Sequence, residues 1–190
     1  MIKIAHRINT ISQLNSIKKS YGIECDIRAA NNTLILHHDP FEKGTLFEDF
    51  LTHFNHAFII LNTKEEGLET EIINLLKKYN ISNFFFLDLS LPFLIRYAKK
   101  GVSNIAIRYS EYEPLELCKK FNGLVDWVWV DCFNGIPPSI DTLNELQTLF
   151  KICLVSPELQ NFSQDYIKRY QIQLDSFKPD AVCTKFPNLW

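Results

Sequence analysis

No apolar stretch of the chain approaches the roughly 20 residues that a bilayer-spanning helix needs, so a membrane span is not expected. No secretory leader is expected either, because Met1-Ile2-Lys3-Ile4-Ala5-His6 enters a strand-like run directly, without an apolar h-region. There is no CxxC pair. The five cysteines (Cys25, Cys118, Cys132, Cys153 and Cys183) are odd in number and scattered, and four lie in or beside apolar runs, where a thiol behaves as a small hydrophobe. A reduced, cytoplasmic protein is the expectation. A basic excess is also missing, since the net charge is -2, which argues against a nucleic-acid partner. No repeat, low-complexity tract or linker divides the chain, and Pro137-Pro138 reads as a loop inside one domain spanning 1–190.

What the chain does have is a polar residue at the carboxyl end of nearly every apolar run. The runs are 2–5, 23–27, 34–36, 58–61, 84–87, 105–107, 127–130, 152–155 and 181–183. They exit into His6/Arg7, Asp26/Arg28, His38/Asp39, Asn62/Lys64, Asp88/Ser90, Arg108/Ser110, Asp131, Ser156/Glu158 and Thr184/Lys185. A sheet that only had to fold would have no reason to gather its charges at one end of each strand. A parallel barrel with its active site at the C-terminal mouth would. Helical spacing fills the gaps between runs at 10–20, 45–54, 68–79, 92–100, 114–121, 139–150 and 165–177, with Thr45 as a cap. Alternating strands and helices imply a parallel sheet. Pairing 23–28 with 34–38 as a hairpin around Ala30-Asn31-Asn32 leaves eight parallel strands. The expected fold is therefore a compact α/β TIM barrel, (β/α)8, with an open doubly wound sheet as runner-up. At 190 residues such a barrel is short, about 200 being the usual lower limit, so its loops must be minimal.

Glu24 and Asp26 are two apart on a strand and so project to one face, with Cys25 on the other. Two hard oxygen donors side by side suit Mg²⁺ or Ca²⁺; exposed charges on an edge strand are the alternative. His6 and His38 end the flanking strands and can form a general acid/base pair, and Arg7 beside His6 offers a fork for phosphate oxygens. Arg108 can set a second cation near a substrate anion, or pair with Glu111 or Glu113 at the surface. Trp129 shares a face with Trp127 and Asp131, and can stack on a substrate ring or simply fill the interior.

The ordered set His6-Arg7, Glu24-Cys25-Asp26 and His38-Asp39 resembles the signature H-R-G, E-x-D, H-D of the glycerophosphodiester phosphodiesterase family, a group of phosphatidylinositol-phosphodiesterase-type barrels. The resemblance implies that His6 and His38 are the catalytic histidines, Arg7 a phosphate ligand, and Glu24 and Asp26 metal ligands. Lys64 matches the lysine of the family's E-x-K, and Thr184-Lys185-Phe186-Pro187 resembles its T-D-x-P loop, bringing Lys185 toward the mouth. Two departures are plain: Ile8 replaces the glycine, and Asn62 replaces the carboxylate of E-x-K. Asn62 is then the expected third ligand, with Asp88 or Asp131 as substitutes. The segment after His38 is also short, which suggests an open site or a smaller substrate.

On this reading the chain is expected to be a metal-dependent phosphodiesterase for a glycerophosphodiester or similar small diester, using Mg²⁺ or Ca²⁺. Substrate contacts would come from Arg7, Lys64, Arg108, Trp129 and Lys185. A barrel that binds a phosphorylated ligand without turnover is the alternative, and a Schiff-base role for Lys64 or Lys185 a third. Nothing in the sequence sets the oligomeric state.

Overall fold

Ten strands and seven α-helices make up the computed structural model, which describes residues 1–190. The strands are β1 (Ile2–Ala5), β2 (Gly22–Ala30), β3 (Thr33–Leu36), β4 (Thr45–Leu46), β5 (Phe58–Thr63), β6 (Phe84–Leu87), β7 (Ala106–Tyr109), β8 (Trp127–Val130), β9 (Lys151–Val155) and β10 (Ala181–Thr184). The helices are α1 (Ile11–Ser16), α2 (Phe47–Thr52), α3 (Glu69–Lys78), α4 (Leu91–Ala98), α5 (Leu115–Lys119), α6 (Ile140–Leu149) and α7 (Asp165–Leu174).

Parallel pairing runs β6-β5-β2-β1-β10-β9-β8-β7, a curled sheet of eight strands. Between β6 and β7 the ladder is reduced to one parallel bridge, Phe86 to Ile105, helped by the Phe86 amide donating to Asn104 O at 2.9 Å. Period-two alternation splits the apolar side chains into two layers. Ile4, Phe58, Phe85, Trp127, Cys153 and Cys183 belong to an inner cluster, and Phe58 and Phe85 pack their rings on Trp127. Ile23, Cys25, Leu61, Phe86, Val128 and Val182 face outward into the larger cluster beneath the helices. At Gly22, which opens β2, a Cβ would stand 3.0 Å from the Phe58 carbonyl oxygen of the neighbouring strand and press on Ile4 Cδ1.

Strand direction is mixed: β3 runs antiparallel to β2 as the expected hairpin partner, and β4, which was not expected, runs antiparallel to β3. Thr45 was expected to cap a helix over 45–54, but its backbone pairs with Leu36, and the helix begins only at Phe47 after an uncapped Leu46. The α1 segment is likewise shorter than 10–20. Thr10 and Gln13 form a reciprocal capping box, and Ile17 then leaves the helix extended and packs on the core. All five cysteines are buried free thiols. No helix is long and apolar enough to cross a membrane.

Candidate active site

The inward parity of the sheet carries polar groups onto its carboxyl end. Ile4 points inward, so His6 does too; Phe58 and Ile60 are followed by Asn62, Ala106 by Arg108, and Trp127 by Trp129 and Asp131. His6, Glu24, Asn62, Asp88, Arg108 and Asp131 meet around a cavity of about 130 Å³, which Trp129 and Gln160 also line. Glu24 and Asp26 stand two apart on β2 and are 0% and 1% exposed.

One turn after β1 organises the acidic pair. Arg7 adopts a left-handed backbone (φ 57°), and its amide donates to Glu24 Oε2 at 2.8 Å. Ile8 N donates to Glu24 O at 2.8 Å, tying the same turn to β2. Asn9, which the sequence did not single out, exchanges two hydrogen bonds with Asp26: Asp26 N donates to Asn9 Oδ1 at 2.9 Å, and Asn9 Nδ2 donates to Asp26 Oδ2 at 2.8 Å. Lys64 Nζ reaches Asp26 Oδ1 at 3.0 Å, and Arg7 Nε lies 3.8 Å from Asp26 Oδ2. Asp26 is thus surrounded by donors.

Glu24 is less satisfied. Its Oε1 and the Oδ1 of Asn62 are both buried without a hydrogen-bond partner. Asn62 pairs with Asp26 across the β2–β5 ladder. Burial, and then the Asp26 charge, push the Glu24 carboxyl up to about 7. His6 Nε2 lies 3.7 Å from Glu24 Oε2, and burial, aided by the Arg7 charge, holds the imidazole down at about 4. No three His, Cys, Asp or Glu side chains converge as a metal cluster, so the candidate ligand set is two carboxylates and one amide. Two orphaned oxygens beside a crowded carboxylate fit a hard cation, which would satisfy both and favour ionised Glu24.

Arg108 holds the opposite wall. It pairs with Asp88 and Asp131, and its Nε lies 3.8 Å from Glu113 Oε1. Asp131 also accepts from Trp129 Nε1 at 3.0 Å and Gln160 Nε2 at 2.6 Å. Arg108 thus holds Asp88 and Asp131 together on this wall of the cavity. Of the two glutamates weighed as alternative partners, Arg108 meets Glu113 and not Glu111. Lys185 is set by Glu158, whose carboxylate accepts the Lys185 amide at 2.9 Å and the Thr184 hydroxyl at 2.5 Å.

Two crystal structures share this arrangement of the chain. The glycerophosphodiester phosphodiesterase from Agrobacterium tumefaciens superposes with a TM-score of 0.71 at 12% identity, covering 100% of this chain and 98% of that one. The enzyme of the same name from Thermotoga maritima gives 0.68 at 15% identity, covering 100% and 96%. This is the glycerophosphodiester phosphodiesterase fold. No protein-family model matches the chain, and no curated protein sequence does. At such identities the phosphodiesterase likeness is one of backbone architecture.

Within this phosphodiesterase-like frame His38 stands apart. It follows β3, outside the eight parallel strands, and does not line the cavity that holds His6. Its side chain is 41% exposed, and its Nδ1–H donates to Asp39 Oδ1 at 2.8 Å. Arg28 Nε and Nη2 clamp the His38 carbonyl at 3.1 and 2.8 Å, so the main chain there is fixed. Asn9, Gln160 and Glu158 are the polar residues of the site that strand-exit reading did not assign. Asn9 sits in a loop and Gln160 ends the short 3-10 helix Pro157–Gln160, where no periodicity marks them, and Glu158 was visible only as an exit residue.

Proposed function

We propose that the chain is a metal-dependent phosphodiesterase, acting on a glycerophosphodiester or a similar small phosphodiester within a closed (β/α)8 barrel. The observation that carries this reading is the pair of orphaned oxygens, Glu24 Oε1 and Asn62 Oδ1, on two residues that line one cavity with His6. Glu24, Asp26 and Asn62 would hold Mg²⁺ or Ca²⁺, which supplies Lewis-acid polarisation of a phosphoryl oxygen when bound. Arg7, Lys64 and Lys185 supply positive charge around the phosphoryl group, and Arg7 can present a two-pronged fork.

His6 is uncharged at neutral pH because of its burial, so it is poised to accept a proton from the attacking hydroxyl. His38, oriented by Asp39 through Nδ1, keeps Nε2 for protonating the leaving alkoxide as substrate closes over the rim. A cavity of about 130 Å³ has room for roughly four water-sized groups at about 30 Å³ each, enough for a phosphoryl group but not for both its alcohols. One alcohol therefore lies outside this cavity.

The second reading, a barrel that binds a phosphorylated ligand without turnover, is favoured by the exposure of His38 away from the cavity. A panel of glycerophosphodiesters and cyclic phosphates, assayed with and without EDTA, separates the two. Hydrolysis that needs a divalent cation and falls about 10²-fold or more in both His6→Ala and His38→Ala supports the phosphodiesterase. Cation and phosphate binding with no hydrolysis anywhere in the panel would leave the binder standing.

A further inference from the structure

The seam between β6 and β7 opens into a second cavity. Past the single Phe86–Ile105 bridge the two strands share no further rung, and the Asp88–Arg108 ion pair spans the gap at the carboxyl end. Behind that ion pair lies a crevice of about 240 Å³, walled by Leu87, Leu89, Leu91, Leu94, Ile107 and Leu117. Leu87, Asp88 and Arg108 line this crevice and the phosphate-sized cavity alike, so the two spaces adjoin. An apolar hollow beside a polar site is lost hydration until something apolar occupies it.

Exposed apolar side chains occur at the crevice and next to its lining residues in sequence. Leu91 lines the crevice and is itself exposed. Tyr112, one residue before the lining residue Glu113, is exposed and packs at a tilt of 54° against exposed Phe133, with ring centroids 6.0 Å apart. The Glu111 carboxylate accepts the Phe133 and Asn134 amides, each at 3.1 Å, and so joins the loops after β7 and β8. Exposed aromatic and aliphatic groups collected beside a cavity mark a binding surface more often than scattered single residues do.

We infer that this crevice is a subsite for a single alkyl or acyl chain, and that the substrate class is an amphiphilic phosphodiester with one such chain on a retained or leaving alcohol. The inference rests on the phosphodiesterase reading for its phosphate position, though not for the existence of the chain subsite. At about 30 Å³ per methylene-sized group, 240 Å³ accepts a chain of roughly eight carbons. Each methylene moved from water into such a space is worth about threefold in affinity. Even partial filling should therefore exceed about tenfold.

The test compares glycerophosphocholine with its 1-hexanoyl, 1-octanoyl and 1-decanoyl derivatives, all below micelle formation. Equilibrium binding is read by calorimetry and hydrolysis by kcat/KM, on the wild-type chain and on Leu117→Trp, which fills the crevice. Leu91→Gln, at an exposed position, is the second variant should the tryptophan fail to fold. The subsite predicts binding that tightens at least about tenfold up to eight carbons and then levels, with the gain lost in the filled variant while glycerophosphocholine is handled as before. Chain-independent binding overturns it, as does a chain-dependent gain that neither variant alters. Chain-dependent binding without any hydrolysis would sink the phosphodiesterase reading and leave the subsite intact. Hydrolysis of glycerophosphocholine with no chain dependence would do the reverse.

Discussion

His6 Nε2 and Glu24 Oε2 face each other across 3.7 Å, and burial drives both groups toward their uncharged forms. The pair is therefore held mostly uncharged at neutral pH, not as a strong ion pair. The consequence is a pH signature that the cation-free protein should display.

Glu24 is raised from 4.5 to about 7, so its contribution to stability is fully present below pH 4.5 and is lost as pH rises through about 7. His6 is depressed from 6.5 to about 4, so its contribution is present above pH 6.5 and lost as pH falls through about 4. With EDTA present the two contributions oppose each other between pH 5 and pH 8, each worth about 2 kcal/mol, so the unfolding free energy of the wild-type chain should stay nearly level. In Glu24→Gln only the His6 contribution is left, and unfolding free energy should rise by about 2 kcal/mol over the same range. Urea titrations at the two pH values measure it, and an equal pH dependence in both proteins would rule out Glu24 as the opposing group.

Asn62 is the one neutral oxygen donor in the candidate cation set. Asn62→Asp adds a charge beside Glu24 and Asp26 without changing side-chain size. Mg²⁺ or Ca²⁺ affinity at pH 8 should rise about tenfold, since one more charge close to the ion is worth at least 1 kcal/mol or so. The cation-free form should be less stable than wild type, because three carboxylates then repel at close range. Calorimetric titration with each metal, beside a melting curve in EDTA, reads both effects. Unchanged affinity would place the cation elsewhere.

Arg108 is the counter-ion of a carboxylate that is only 1% exposed, Asp131. Arg108→Met leaves that carboxylate with only Trp129 and Gln160 as donors and should cost about 3 kcal/mol at pH 7. Adding Asp131→Asn should recover most of the loss, because an amide needs no counter-charge. Denaturant unfolding of the single and double variants is the measurement. Additive losses in the double variant would mean that the two side chains act independently.

Most of the inner wall could be read from period-two alternation alone. His6, Glu24, Asp26, Asn62, Arg108, Trp129 and Asp131 all fall on inward positions of parallel strands, or one step past their ends. His38 could not be placed in this way, because it follows an antiparallel strand whose position depends on a turn and on β4. Thr45 was misread for the same reason: helix-compatible spacing did not reveal that its backbone completes a hairpin ladder with Leu36. That Asp88 and Asp131 share one guanidinium, Arg108, could not be read from the sequence, since ion pairing across three strands leaves no trace in sequence spacing.

The narrow join between β6 and β7 separates two kinds of change. Glu24, Asp26 and Asn62 sit on the densely laddered β2 and β5, where six residue pairs lock the register. Leucines flanking the sparse join can be exchanged for larger or smaller neighbours with little backbone bonding to disturb. A chain built this way can change the walls of the crevice while the carboxylates and the amide on β2 and β5 stay put.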